Sequence, residues 1–222
     1  MLLKKLILQT KNIDELYAFY KNVIKLDVTR ANSKTISINA GITTLIFEKA
    51  KDPEKPFYHF AFNIPSNKFE EALEWLQNKV ELLWIEEYKS YVAEFTNWNA
   101  RSAYFMDPAG NIVEFIARFD LNDVVEEIFS PAHLRNISEI GIVLDAGQFD
   151  EKINQMLYQY QLEYFSRQPP LKHFRAIGND NGLFIVVPEH RNWYPTTIPC
   201  KIFPLSVMFE NNKRKYRLQF DA

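Results

Sequence analysis

The stretch Phe105-Met106-Asp107-Pro108-Ala109-Gly110-Asn111-Ile112-Val113-Glu114-Phe115 decides how the chain folds. Its centre, Asp107-Pro108-Ala109-Gly110, is a turn. The aspartate can accept from backbone N–H groups just ahead of it, the proline fixes its own φ, and the glycine takes a positive φ without steric cost. Residues 102–106 and 112–117 flank the turn as two strands of a hairpin. Upstream, residues 86–100 are polar and aromatic and read as a long loop holding at most a turn of helix, and 82–85 read as a strand. Before them Phe69, Ala72, Leu73 and Leu76 form a helical stripe with Glu70, Glu71 and Glu74 turned to solvent, and Ser66 is the N-cap candidate. Residues 57–64 read as a strand. The whole is one βαβββ unit.

The same order occurs before and after it. Residues 2–9 read as a strand, with Asn12 as N-cap and Leu16, Tyr17, Tyr20, Val23 and Ile24 at helical spacing. Short strands at 26–30, 35–39 and 43–48 follow. A connector at 120–136 carries one helix-like piece, 123–128, ended by Ser130-Pro131. Beyond it come a strand at 137–144, a helix at 149–160 and strands at 163–166, 173–177 and 183–187. The tail reads as a hairpin, 201–210 and 216–220, that starts a fourth and incomplete repeat. An internal repeat fixes an architecture more firmly than any single motif. The expected fold class is therefore α+β, built of repeated βαβββ units, with residues 1–119 pairing two units in one cup and 137–222 forming a third unit plus the hairpin.

Composition narrows the function classes. The chain has 222 residues, 47% hydrophobic and 15% aromatic, enough ring area to fill a core and line a pocket. A net charge of −2 supplies no global field for nucleic acid or an anionic membrane. The single cysteine, Cys200, excludes an intrachain disulfide and any CxxC metal site, and reads as a buried inert thiol. No apolar run is long enough to span a bilayer, and the start does not read as a signal peptide. The expectation is a cytoplasmic protein with a small-molecule ligand and neither nucleic acid nor membrane as partner.

The Asp-Pro-x-Gly-Asn-x-x-Glu-Phe pattern at 107–115, with Tyr58-His59-Phe60-Ala61-Phe62 and Ala18-Phe19-Tyr20, resembles the vicinal oxygen chelate superfamily. That group comprises the glyoxalase, bleomycin-resistance and extradiol dioxygenase proteins. The resemblance implies curled mixed sheets forming a cup around one site. It also implies a divalent metal (Fe, Mn, Ni or Zn) held by a histidine on the first strand of each unit and a glutamate on a last strand. Matched position by position, His59 and Glu114 fall on a histidine and the glutamate, and both are the implied metal ligands and catalytic groups. The remaining histidine position falls on Lys5, whose protonated ammonium has no lone pair to give. Alone, His59 would read as a core histidine and Glu114 as a rim carboxylate.

Further expectations follow from that match. Lys5 would pair with Glu114 in the cup and supply the positive charge where relatives hold a metal. Gln9 shares the strand face of Lys5. The aromatic loop with Tyr88, Tyr91, Phe95 and Trp98 reads either as a cap on the cup's core or as a wall for an aromatic or apolar ligand with Arg101 as anion clamp, and on the second reading Trp98 and Arg101 are substrate-binding candidates. In the third unit, Ser138 or Glu139 stands near the first-strand ligand position and Val186 at the last-strand position, so no second metal site is expected there. That unit would pack on the first two or build a homodimer. His133, His173 and His190 have no spacing partners that make a ligand set.

Three functions compete. One is a metal-dependent lyase, isomerase or dioxygenase with a degenerate site. The second is a metal-free protein that binds or sequesters a small molecule. The third is a structural relative whose own side chains fill the cup. Lys5 argues against the full two-histidine, one-carboxylate iron set that extradiol chemistry needs.

Overall fold

A computed structural model describes residues 1–51 and 53–221. Strand β1 (Leu2–Thr10) leads into helix α1 (Ile13–Ala18), which runs on as a turn of π-helix, Phe19–Val23. Ile13, Leu16, Tyr20 and Ile24 are all buried, as their spacing predicts. Strands β2 (Asp27–Asn32), β3 (Thr35–Ala40) and β4 (Thr43–Lys49) complete the first unit. The second has β5 (His59–Ile64), α2 (Phe69–Gln77), β6 (Ala93–Phe95), β7 (Ala100–Met106) and β8 (Ile112–Arg118). The third has β9 (Asn136–Leu144), α3 (Phe149–Tyr160), β10 (Arg175–Asn179) and β11 (Gly182–Pro188). A hairpin of β12 (Leu205–Asn211) and β13 (Arg214–Phe220) closes the chain.

The strands form two mixed sheets. One has the order β13-β12-β1-β4-β3-β2, the other β10-β11-β9-β5-β8-β7-β6. The second unit is thus joined to the third through antiparallel pairing of β5 with β9, and the first unit to the C-terminal hairpin through antiparallel pairing of β1 with β12. This overturns the expectation that the first two units share a cup. Both β1 and β5 expose an edge that must be paired. The later units supply two such partners, β9 and β12, and a repeat count alone does not say which edge takes which. The hairpin does occupy the place of a fourth repeat, because β12 stands beside β1 as β9 stands beside β5.

The helix-bearing faces of both sheets pack into one continuous core around Leu6, Tyr20, Phe47, Phe60, Phe62, Phe115, Ile140, Phe184 and Phe209. The opposite face of the seven-stranded sheet carries a second apolar cluster, with Ala61, Tyr104, Ile116, Ile185 and Trp193. That face is the cup.

Local expectations differ from the structure at four places. The 82–85 segment makes only isolated bridges, Leu82 to Phe105 and Ile85 to Ser90, and 163–166 only one, Tyr164 to Ile177. The loop before β7 holds the short strand β6 and a 3-10 turn, Thr96–Trp98. No helix forms at 123–128. The Ser66 N–H and hydroxyl both donate to the Asp123 carbonyl, and Arg135 holds the Asp123 carboxylate at 2.6 Å, so the start of the segment is tied down rather than coiled. Gly41, with φ +55°, lies so close to the connector that a Cβ would meet the Arg135 carbonyl oxygen at 1.9 Å.

Candidate metal centre and its aromatic cavity

The Asp-Pro-x-Gly-Asn turn builds one side of the site. Asp107 Oδ1 accepts from the backbone N–H groups of Ala109 and Asn111, and its Oδ2 accepts from Asn111 Nδ2 and the Tyr20 hydroxyl. Asn111 Oδ1 in turn accepts from the Tyr58 N–H, at the entrance to β5. The turn therefore locks the start of β8 to the start of β5 in parallel register, His59 opposite Ile112 and Ala61 opposite Glu114. His59 Nδ1 lies 3.1 Å from the Ile112 carbonyl oxygen, where only an Nδ1–H can bond. That tautomer leaves the Nε2 lone pair facing inward.

On the other side of β5, Ala61 is also in register with Glu139 of β9. Three neighbouring strands thus bring His59, Glu114 and Glu139 together, with one donor atom from each lying within 4.8 Å of the other two. His59 Nε2 is 3.6 Å from Glu114 Oε2 and 3.8 Å from Glu139 Oε2. All three are buried. The Ser102 hydroxyl donates to Glu114 Oε1, and Arg118 Nη2 donates to Glu139 Oε1. The Arg118 guanidinium is fully buried, lies over the Trp98 ring at 5.5 Å and is 3.5 Å from Asp180.

Burial, reinforced by Glu139, pushes the Glu114 carboxyl up to about 7. Burial pulls the His59 imidazole down, but the two carboxylates outweigh it and its net shift is upward. Burial, then the charge on Glu114, lifts the Tyr104 phenol above its ordinary range.

Above the cluster opens a cavity of about 420 Å³. Its walls include Tyr88, Phe95 and Trp98 from the second unit and Phe174, Trp193 and Tyr194 from the third, with Arg191 also in the lining. The Trp193 ring packs on His59 at 5.4 Å. It has room because residue 141 is glycine: a Cβ there would stand 2.4 Å from the indole.

His59 and Glu114 therefore lie in one site, and Trp98 lines its cavity. Lys5 and Gln9 do not reach it. Both sit on β1 in the other sheet, Lys5 in register with Thr44 and Met208, while Gln9 lines a separate cleft with Glu48, Ser206 and Arg217. The expected Lys5–Glu114 pair is replaced by Arg118–Glu139, so the buried carboxylates have a cation from a different strand. Arg101 is no clamp in this cavity. It stacks on Phe69 at 4.5 Å and bonds Glu70 and Glu94 on the helix-bearing side of the sheet. Tyr91 is exposed and packs on Trp84.

Sequence reasoning placed Ser138 or Glu139 near a ligand position of the third unit but did not join Glu139 to His59 and Glu114, and it missed Arg118 and Trp193 as members. A glutamate inside the apolar run Ile137-Ser138-Glu139-Ile140-Gly141-Ile142 was the available signal. The residue of β11 that shares the cup is Ile185, not Val186, so that position offers no ligand. Burial pushes the Cys200 thiol up to about 12, in keeping with an inert side chain.

No family model matches the sequence, and no curated protein sequence matches it. Solved structures do. A protein of Bacillus subtilis subsp. subtilis str. 168, assigned as a dioxygenase, is 14% identical and superposes with a TM-score of 0.57 over 99% of this chain and 66% of its own. Lactoylglutathione lyase from Agrobacterium tumefaciens (19% identity, TM-score 0.42) matches over 51% of this chain and 90% of its own. A glyoxalase/bleomycin resistance protein/dioxygenase from Nocardioides (19%, TM-score 0.44) matches over 57% and 89%. The chain has the cup-shaped fold of the vicinal oxygen chelate proteins. No helix among the described residues is long and apolar enough to cross a membrane.

Proposed function

We propose that this protein binds a divalent metal through His59, Glu114 and Glu139 and acts on a small molecule held in the aromatic cavity above them. The reaction would be of the lyase, isomerase or dioxygenase type. The observation that carries the reading is the convergence of one imidazole nitrogen and two carboxylates at the floor of that cavity. Such a set suits Mn, Fe, Ni or Zn and leaves coordination positions free for ligand oxygens. When bound, the metal would act as a Lewis acid toward adjacent oxygens of the ligand. The chain's own groups do the rest. The Ile112 carbonyl aims His59, Ser102 and Arg118 each hold one oxygen of a glutamate, and the free oxygens face inward. Without metal, burial and Glu139 hold the Glu114 carboxyl above its ordinary range, so metal binding would displace a proton from it.

The test is titration of metal-stripped protein with Mn, Fe, Ni and Zn by calorimetry. About one ion per chain should bind, and Glu139→Ala should weaken it at least about tenfold, because a ligand is lost. Chelation should lower the melting temperature of loaded protein. A second reading is a metal-free binding protein. The Arg118–Glu139 pair favours it, since it offsets one buried carboxylate without a metal. Absence of stoichiometric metal binding would select that reading.

A further inference from the structure

Arg118, the last residue of β8, is fully buried and has two carboxylates within ion-pair distance, yet it is hydrogen-bonded to only one of them. Its Nη2 donates to Glu139, a member of the candidate metal centre. Its Nη1 stands 3.5 Å from Asp180 Oδ1, and among the described residues neither of these buried atoms has a hydrogen-bond partner, nor has Arg118 Nε. Buried polar groups are normally paired. A buried donor and a buried acceptor of opposite charge, both unpartnered and just beyond bonding distance, form a second place where the guanidinium's charge can be held.

Asp180 belongs to the third unit, in the turn between β10 and β11. Its backbone is fixed. Asn63 of β5 donates to the Asp180 carbonyl at 3.2 Å, and Asn136 of β9 donates to the next carbonyl, that of Asn181, at 2.8 Å. The other Asp180 carboxylate oxygen is 3.6 Å from Arg167, which pairs in turn with Asp120. Charges thus alternate away from the centre in the order Glu139, Arg118, Asp180, Arg167, Asp120.

We propose that Asp180 is a positioning residue of the centre: it shares Arg118 with Glu139 and so sets how freely Glu139 can give its charge to a cation. Held by Glu139 alone, the guanidinium would lose its counter-charge once that carboxylate served a metal, and an uncompensated buried charge is strongly unfavourable. Asp180 holds Arg118 from the other side, so the guanidinium stays balanced. The same sharing operates without a metal, because either carboxylate balances Arg118 when the other is neutral. The role toward a metal rests on the reading of His59, Glu114 and Glu139 as a metal centre; the sharing of Arg118 does not.

The experiment combines calorimetric zinc titration with urea melts of the metal-free protein. Asp180→Asn keeps the shape of the side chain and removes its charge. Zinc affinity should fall about tenfold in Asp180→Asn, the usual effect of losing a group that supports a ligand, and recover in part in Asp180→Glu. In an Arg118→Met background, Asp180→Asn should change zinc affinity by less than about twofold, because the residue through which it acts is gone. In metal-free protein, the drop in urea midpoint for Glu139→Gln combined with Asp180→Asn should exceed the sum of the two single drops. Unchanged zinc affinity in Asp180→Asn overturns the proposal, and so does an equal loss with and without Arg118, which would make the role of Asp180 merely structural. Additive urea midpoints overturn the sharing, and they decide the matter if Arg118→Met does not fold. If the wild type binds no zinc, the metal-centre reading fails, while a more-than-additive midpoint drop still establishes Asp180 as the second counter-ion of Arg118.

Discussion

Glu114 and Glu139 face one another across Ala61. Each is in register with that alanine, one on β8 and the other on β9, so a single methyl side chain separates two buried carboxylates. A larger residue at 61 would stand where the carboxylates, His59 and Arg118 converge. Ala61→Leu should destabilise the fold by about 1–3 kcal/mol, the usual cost of overpacking. It should also abolish metal uptake if the three donors bind one ion. Denaturant melts and a metal titration of the variant measure the two effects separately, and unaltered uptake would mean that the donors do not share an ion.

The fully buried Arg118–Glu139 pair makes a second expectation. Removing either partner leaves a charge in a site that cannot solvate it. Arg118→Met or Glu139→Leu alone should cost on the order of 3–5 kcal/mol. The double variant should be more stable than the worse single one, because no uncompensated charge of the pair remains. A double-mutant cycle by urea denaturation gives the coupling energy. Additive losses would show that the two side chains do not depend on each other.

What could be read before the structure, and what could not, divides along physical lines. The repeat was legible because strand and helix periodicity is local. His59 and Glu114 were legible only through the resemblance their motifs carry; both lie within one unit, whose turn at 107–111 ties their strands in register through Asp107 and Asn111. The partner unit was not legible. Antiparallel pairing of β5 with β9 rather than with β1 is a choice between two edges of similar apolar character, made by tertiary packing far along the chain. Assigning the wrong partner put Lys5 and Gln9 in the site and left out Glu139. The requirement for a cation beside a buried glutamate was sound physics applied to the wrong strand, for Arg118 meets it. Arg101 went astray through alternation: it is one residue from Ser102, which touches Glu114, and so points to the other face.

Gly141 and Trp193 link packing to the cavity. With the indole 2.4 Å from where a Cβ would be, Gly141→Ala must displace Trp193, which also packs on His59. The expected loss of stability is about 1–3 kcal/mol. The tryptophan emission should shift, because Trp193 is buried in the native protein. Trp193→Phe should relieve the clash, so that the pair Gly141→Ala with Trp193→Phe is less destabilised than Gly141→Ala alone. A double variant no more stable than the single one would locate the strain elsewhere.

Asp107 carries the pH dependence that is easiest to isolate. Burial pushes its carboxyl up from 3.8 to about 6, against the pull of bonds from Asn111, Tyr20 and Ala109. The folded state therefore holds this proton more tightly than the unfolded chain does. Below about pH 4 both states are protonated and the group has no pH effect. As pH rises from about 4 to about 6 the unfolded chain ionises first, and stability falls. Above about 6 both are ionised and the loss levels off. Two pKa units correspond to a loss of about 3 kcal/mol at most. Asp107→Asn removes the titration while its Oδ1 can still accept from the turn N–H groups. The unfolding free energy of the wild type minus that of Asp107→Asn should then decrease between pH 4 and pH 7. Denaturant titrations at half-unit intervals give that difference directly. A flat or rising difference would mean that the aspartate in the turn is ionised in the folded protein throughout, and that its four hydrogen bonds outweigh its burial.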